Sequence, residues 1–200
     1  MLDAVTCMDA LLGDHIGCNA EVNEVLEILR GEKKNDLSPL SLFHAAKILQ
    51  AAEGIGEEEA ASRAANAIDS GAAIRKFGEI IAAQGGNAGD VYKTLPMSDT
   101  VHTLRAKEDG YVRISALALG RACAALGGGR AKEGDAIDHG AGILLKVRQG
   151  ARVKKGAVLA EAYCSKSGEE GFALAESAFA FSPKKIKDRP LVYAFIGGKE

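Results

Sequence analysis

Leu11-Leu12-Gly13-Asp14-His15-Ile16-Gly17-Cys18-Asn19-Ala20-Glu21-Val22-Asn23-Glu24-Val25-Leu26-Glu27-Ile28-Leu29-Arg30-Gly31 is the stretch from which the rest of the chain is read. Gly13 and Gly17 allow a tight loop, and the loop runs into a strong helix start. Asn19 is expected to cap free amides there, and Glu21 adds negative charge beside the positive end of the helix dipole. Val22, Val25, Leu26 and Leu29 recur three and four residues apart, which predicts one apolar face, and Gly31 is a natural stop. A tight loop turns backbone carbonyls inward, where a cation could meet them, and Glu24 could supply charge from the following helix. A plain helix cap followed by a solvated glutamate fits the same letters.

Upstream, Leu2 to Cys7 is short and rich enough in β-formers to be a strand feeding that loop. Strand, loop and helix make half of a βαβ unit, whose loops at strand C-termini are where α/β proteins bind ligands. The strands that pair with it must come from downstream or from another polypeptide. Downstream, Ser38 is expected at a cap with Pro39 at the first helical position, in a helix closed by Gly54 and Gly56. Glu57, Glu58 and Glu59 open a second helix that reaches Ser70-Gly71. A third carries Ile74, Phe77, Ile80 and Ile81 on one side and stops at Gln84-Gly85-Gly86. His44 sits among apolar helical neighbours and reads as a structural histidine.

Composition sets bounds on these readings. Two hundred residues suit one large or two small domains and can bury about 70% of the unfolded surface. With no Trp and 5% aromatics, the core must be mostly Ala, Leu, Val and Ile. A net charge of −2 without a basic, aromatic-interleaved stripe argues against a dedicated nucleic-acid binder. The charge is unevenly divided, with 15 acids against 8 bases in residues 1–96 and 12 against 17 in residues 97–200, which hints at two modules. Cys7, Cys18, Cys123 and Cys164 show no CxxC pairing or metal spacing and no signal peptide precedes them, so buried thiols in a reducing cytoplasm are expected. No apolar run is long enough to cross a bilayer, and no membrane partner is expected.

Residues 87–98 lack a period and read as the connection between modules. Beyond it the pattern becomes extended. Val101 to Arg105 and Tyr111 to Ile114 flank Lys107-Glu108-Asp109-Gly110 as strand, turn, strand. Ser115 should cap a helix through Leu117, Leu119, Ala122 and Leu126. A strand follows over 143–147, then two more short strands punctuated by Gln149-Gly150 and Lys155-Gly156, the second over 158–163, then a helix over 168–181 and a closing strand over 191–196. Short strands with glycine turns point to a compact β module carrying one or two helices.

Several constellations are weak as chemistry. Gly127-Gly128-Gly129-Arg130 follows a helix and lacks the Lys-Ser/Thr of a phosphate loop, so it reads as a turn. Asp138 and His139, adjacent on an expected strand, would face opposite sides and could not easily converge with Asp135 on one ion. Ser165, Ser167 and Ser177 have no histidine at motif spacing. The stretches 105–112 and 147–159 are similar to a biotinyl/lipoyl-type barrel-sandwich, but no lysine stands in a carrier tripeptide. A carrier relative, or a non-catalytic binding or regulatory module, is the alternative reading.

Asp9-Ala10-Leu11-Leu12-Gly13, then Gly17 to Val22 and Glu24, resembles the corresponding segment of the pyrimidine-nucleoside phosphorylase family, which includes thymidine phosphorylases. Phe77 to Gly86 followed by Leu95-Pro96 is similar to the same family. So are Ala125-Leu126-Gly127, Gly129-Arg130, Gly134-Asp135, Ile137-Asp138 and Gly142, in a region that braces the family's active-site cleft. The resemblance runs from about Ala4 to Phe195. It implies an α/β (α+β) fold in which residues 1–94 are the C-terminal, helical part of the central α/β phosphorylase domain. Residues 95–200 would then be a β-rich barrel-sandwich or hammerhead-like C-terminal module.

The resemblance also implies an activity and a site. Family members are pentosyltransferases that reversibly split a pyrimidine nucleoside with phosphate as co-substrate, giving free base and (deoxy)ribose 1-phosphate in cytoplasmic salvage. A monovalent cation such as potassium is held in the family by carbonyls matching Leu12 and His15 and by the carboxylate matching Glu24. His15 replaces a small residue, so only its carbonyl carries the role over. No other cofactor is implied. The Lys-His-Ser motif, the phosphate loop and the base-gripping Arg, Ser and Lys of the family are not found in this sequence, so no catalytic or substrate-binding residue is assigned. The expected partners are the nucleoside and phosphate of a parent enzyme and a missing N-terminal half.

Overall fold

The structure, a computed structural model, describes residues 3–7, 11–130, 132–165, 168–187 and 189–197. It combines helix and sheet in two compact units, one comprising Met1–Cys7, Glu24–Thr94 and Pro190–Glu200, the other Met8–Asn23 and Leu95–Arg189.

In the first unit, β1 (Asp3–Thr6) pairs antiparallel with β9 (Val192–Ile196), Asp3 opposite Ile196 and Val5 opposite Ala194. The partner that β1 requires is therefore the closing strand of the same chain. Helix α1 (Cys18–Leu29) ends in a turn around Gly31, whose φ of 75° suits glycine. Helices α2 (Leu37–Glu53), α3 (Glu57–Asp69) and α4 (Ala72–Ala83) follow. The acidic first turn of α3 lies where the dipole favours it. Leu26, Ile74 and Val91 form a small core joined by Leu29, Phe77 and Ile81. Val91 comes from a 3-10 turn, Ala88–Tyr92, inside the stretch that reads as connector. That turn is started by the Asn87 side chain, which accepts from the Gly89 amide at 2.9 Å.

The expected cap of α2 is corrected by the structure. Leu37 is the first helical residue, so Pro39 is the third, and the Leu37 amide donates to Asn35 Oδ1 at 3.1 Å. Ser38 Oγ is instead buried, with no hydrogen-bond partner among the described residues. His44, expected among apolar neighbours, is exposed, its ring edge-on to Phe43.

The second unit holds two antiparallel sheets around one core. One has the order β2 (His15–Ile16), β5 (Gly142–Leu145), β7 (Val158–Cys164), β3 (Thr100–Arg105). The other has the order β6 (Arg152–Val153), β4 (Gly110–Ile114), β8 (Phe179–Ser182). Leu104, Val112, Leu119, Ile143 and Leu159 fill the core together with seven alanines, in keeping with the aromatic-poor composition.

Strand, turn and strand over β3 and β4 match the reading of this half, but the two strands do not pair with each other, because the turn after β3 bonds to the turn before β7. Gly156 donates to Ala106 O at 2.8 Å, and the Asp109 carboxylate accepts from the Lys155 amide at 2.8 Å and from Lys154 Nζ at 2.7 Å. Each strand thereby takes a distant partner. The helix expected over 168–181 is α6 (Glu169–Ser177) alone, and the strand β8 follows it. Phe179 and Phe181 alternate at strand period, pairing with Ile114 and Val112. Helix α5 (Ala116–Cys123) matches its expected start, the Ala118 amide donating to Ser115 Oγ at 3.3 Å. A π-helical turn, Ala124–Gly128, follows, with Gly127 at φ 103°.

Candidate functional site

Leu12 and His15 belong to the second unit and Glu24 to the first. In the second unit, Leu12 lies half-buried in a bend, and Gly13 and Gly17 have the positive φ values, 81° and 113°, that the tight loop requires. The strand β2 runs along β5 with His15 opposite Leu144. Leu145 donates to Asp14 O at 2.7 Å, so His15 falls between ladder-bonding positions and its carbonyl points away from β5. The His15 ring turns elsewhere, Nδ1 lying 2.9 Å from Ala20 O.

Asn19 does not cap α1, because the helix starts one residue earlier at Cys18. Instead the Gly17 amide donates to Glu21 Oε1 at 3.0 Å, a carboxylate reaching back over the first turn. Asn19 Nδ2 donates to Pro96 O at 2.8 Å. Asn23 brackets the neighbouring residue, Nδ2 donating to Leu95 O at 2.9 Å and Oδ1 accepting from the Leu95 amide at 2.7 Å. The two asparagines therefore hold the Leu95-Pro96 segment by its backbone.

The apolar face expected of α1 is corrected. Val22 is exposed, whereas Glu24, Leu26 and Ile28 are buried. Glu24 is only 2% exposed, so it is not the solvated glutamate that its polarity suggests. Its carboxylate is compensated locally. Glu32 and Lys33 donate their amides to Glu27 O at 2.9 and 3.3 Å, folding the post-helix turn back, and Lys33 Nζ reaches Glu24 Oε1 at 2.7 Å. Asn35 Nδ2 donates to the same oxygen at 2.7 Å. An unpartnered buried carboxylate costs several kcal/mol, which is why the positive partner is built in.

This arrangement bears on the monovalent cation. An ion on the Glu24 oxygen would stand beside the Lys33 ammonium, and two unit charges about 4 Å apart repel by roughly 4 kcal/mol at an effective dielectric of 20. With Lys33 in place, the donors around Glu24 do not fit an added alkali ion. Lys33 and Asn35 are not identifiable from the sequence pattern. They lie past the helix stop, where helical spacing no longer applies, and only the returning turn brings them to Glu24.

Among the described residues no three His, Cys, Asp or Glu side chains group to hold a metal ion. Asp135, Asp138 and His139 lie in an irregular loop and not on a strand, and Asp138 is a brace. Ser98 Oγ donates to it at 2.9 Å, the Gly140 amide to Oδ1 at 3.0 Å, and the Ser165 amide to Oδ2 at 3.0 Å. Partial desolvation pushes the Asp138 carboxyl up, but the donors from Ser165, Ser98 and Gly140 outweigh it and hold the group below the usual carboxylate range. The turn after α5 is tied to the same loop, Asp138 N donating to Gly127 O at 2.9 Å. Ser177 Oγ donates to Leu174 O at 2.7 Å within its own helix, and Ser167 lies outside the described residues. A second cluster has His102 stacked on Phe172 with centroids 4.7 Å apart and 3.2 Å from Glu176. Hydrogen bonds from Lys107 and then His102 lower the Glu176 pKa, against its desolvation.

Comparison with known proteins gives this arrangement a family. The profile of the pyrimidine nucleoside phosphorylase C-terminal domain matches residues 111–181, which run from β4 to β8 and include the Asp138 brace. A pyrimidine-nucleoside phosphorylase of Geobacillus stearothermophilus is 37% identical over 166 residues, covering 81% of this chain and 38% of that protein. A thymidine phosphorylase of Mycobacterium tuberculosis is 34% identical over 187 residues, 93% of this chain and 41% of that protein. An AMP phosphorylase of Thermofilum pendens is 33% identical over 162 residues, 79% of this chain and 29% of that protein. The chain thus spans about two fifths of the length of the first two of these relatives. Through its C-terminal domain, it belongs to the pyrimidine-nucleoside phosphorylase family.

Proposed function

We propose that this chain contributes the C-terminal portion of a pyrimidine-nucleoside phosphorylase, the parent activity being reversible phosphorolysis of a pyrimidine nucleoside to free base and (deoxy)ribose 1-phosphate. The observation that carries this reading is similarity spread over four fifths or more of the chain yet only 38% and 41% of two of the relatives. The chemistry belongs to the remainder of such an enzyme. None of the four histidines, His15, His44, His102 and His139, follows a lysine, so the Lys-His-Ser motif has no counterpart in these 200 residues. Residues 95–200 are read as the hammerhead-like module of the family, and two small antiparallel sheets sharing one core support that reading. The task left to this portion is structural, a rear wall for the substrate cleft.

The test is an assay of the purified chain with thymidine or uridine and phosphate, alone and mixed with a polypeptide carrying the Lys-His-Ser motif and phosphate loop of a relative. The expected result is no base release alone and release in the mixture. Base release by the chain alone, above a buffer blank, would overturn the division of labour. A mixture that neither associates nor turns over would overturn the role as a complementing portion.

A further inference from the structure

We infer that the Lys33 ammonium is a built-in counter-ion for Glu24, taking the place of a free monovalent cation in this chain. Glu24 is a buried carboxylate on α1, 2% exposed, and it needs a positive partner wherever water is excluded. The sequence after α1 supplies one. Gly31 turns the chain at φ 75°, and the amides of Glu32 and Lys33 are returned to the Glu27 carbonyl. The lysine stem is thereby laid over the last turns of the helix. Its Nζ stands 2.7 Å from Glu24 Oε1 and 3.9 Å from Glu27 Oε2, with a side chain 20% exposed. Asn35 completes the cradle from the far side of the turn, its amide on Glu24 Oε1 and its oxygen on the Leu37 amide at the start of α2.

Each part of this device is fixed by backbone. The ammonium is not a mobile surface lysine that happens to lie near an acid, since both residues flanking the turn are hydrogen-bonded to a helix end. A tethered cation is always present at the site, whereas a dissolved ion is present in proportion to its concentration. The consequence is a carboxylate whose charge is balanced independently of the salt around it. The inference relies on the proposed function only for the choice of potassium as probe. Its readout is stability and not turnover, so it can fail or hold whatever the phosphorolysis assay gives.

The test follows thermal unfolding of the chain in KCl and in choline chloride at equal ionic strength, for the native sequence, Lys33→Met and Lys33→Arg. The native chain and Lys33→Arg are expected to unfold at the same temperature in both salts. Lys33→Met, which keeps the apolar stem and removes the charge, is expected to lose about 10 °C in choline and to regain part of it with rising potassium. A saturable, potassium-specific rise in the native chain would overturn the inference, as would a destabilised Lys33→Met variant indifferent to potassium. Should Lys33→Met not fold, the double variant Glu24→Gln/Lys33→Met removes both charges. It is expected to fold without any potassium response, and its failure to fold would also overturn the proposal.

Discussion

Gly17 and Gly142 pass each other so closely that neither position has room for a side chain. A Cβ on Gly17 would lie 2.5 Å from the Ala141 carbonyl oxygen and 2.8 Å from Gly142 Cα, and a Cβ on Gly142 would lie 2.5 Å from the Ile16 carbonyl oxygen. The obstacles are backbone, so nothing can rotate aside. Gly17 also has a φ of 113°, a conformation closed to other residues. This contact seats the loop that carries Leu12 and His15 against β5.

Alanine at Gly17 combines backbone strain with overpacking and is expected to destabilise the chain by at least about 3 kcal/mol, read as the urea midpoint. Gly142→Ala should cost about 2 kcal/mol from the collision alone. Gly120 is the control. It lies exposed in α5, a Cβ there would meet nothing within 4 Å, and alanine should stabilise by about 0.5–1 kcal/mol. A Gly17→Ala variant as stable as Gly120→Ala would mean that the loop is not seated this way.

Asn23 is 7% exposed and exchanges two hydrogen bonds with the backbone of Leu95. Asn23→Ala leaves the half-buried Leu95 amide and carbonyl without these bonds and should cost about 1–2 kcal/mol. Asn23→Asp keeps the acceptor for the Leu95 amide but turns a second oxygen on the Leu95 carbonyl, so it should be no better. Urea denaturation of both variants checks this, and a loss under about 0.5 kcal/mol in each, the scale of an ordinary surface substitution, would show that the bracket does not hold the segment.

The sequence and the structure agree at several local signals, though not at the expected caps Asn19 and Ser38, and part where partners are distant. Ser115 as a cap, the acidic start of α3 and the glycine bends at 13 and 17 are all decided within a few residues. Strand partners are not: strand, turn and strand around Asp109 are legible, but not that the Asp109 carboxylate binds the turn at Lys154-Lys155 and that each strand pairs with a distant one. The strand β8 escapes a sequence reading because the alternation of Phe179 and Phe181 is too short to outweigh the helical stretch before it. Burial of Glu24 is invisible to hydrophobic periodicity, which counts a glutamate as polar. Its compensating lysine sits in a turn where the surrounding Glu32, Lys33 and Lys34 look like an ordinary solvated run.

The brace at Asp138 makes a pH prediction. Its carboxyl is held below the usual range in the folded chain, so the ionised form contributes stability above the unfolded value near 3.9, lost as pH falls through the lower folded value. Native-chain stability should therefore decline on acidification in this window more steeply than that of Asp138→Asn. At pH 7 the asparagine, which presents a donor to at least one of the Ser165, Ser98 and Gly140 donors, should cost about 1–3 kcal/mol. Parallel profiles for the two proteins as the pH is lowered from about 5 to about 2.5 would remove Asp138 as the titrating group.

Cys123 gives the last prediction, on reactivity. It is buried at the end of α5, and burial, reinforced by the negative charge of Glu21 and by Cys18, pushes its thiol up to about 11. The thiolate is the reactive form, so at pH 8 only about one Cys123 in a thousand is ionised, and access is restricted as well. Cys18, only half-buried, is not shielded to the same degree. Brief iodoacetamide treatment of the native chain at pH 8, followed by peptide mass spectrometry, should modify Cys18 well before Cys123. Unfolding in urea should bring the two to similar rates, because the difference comes from burial and a neighbouring carboxylate. Equal labelling in the native state would show that the end of α5 opens to solvent and that Cys123 does not belong to the packed interior.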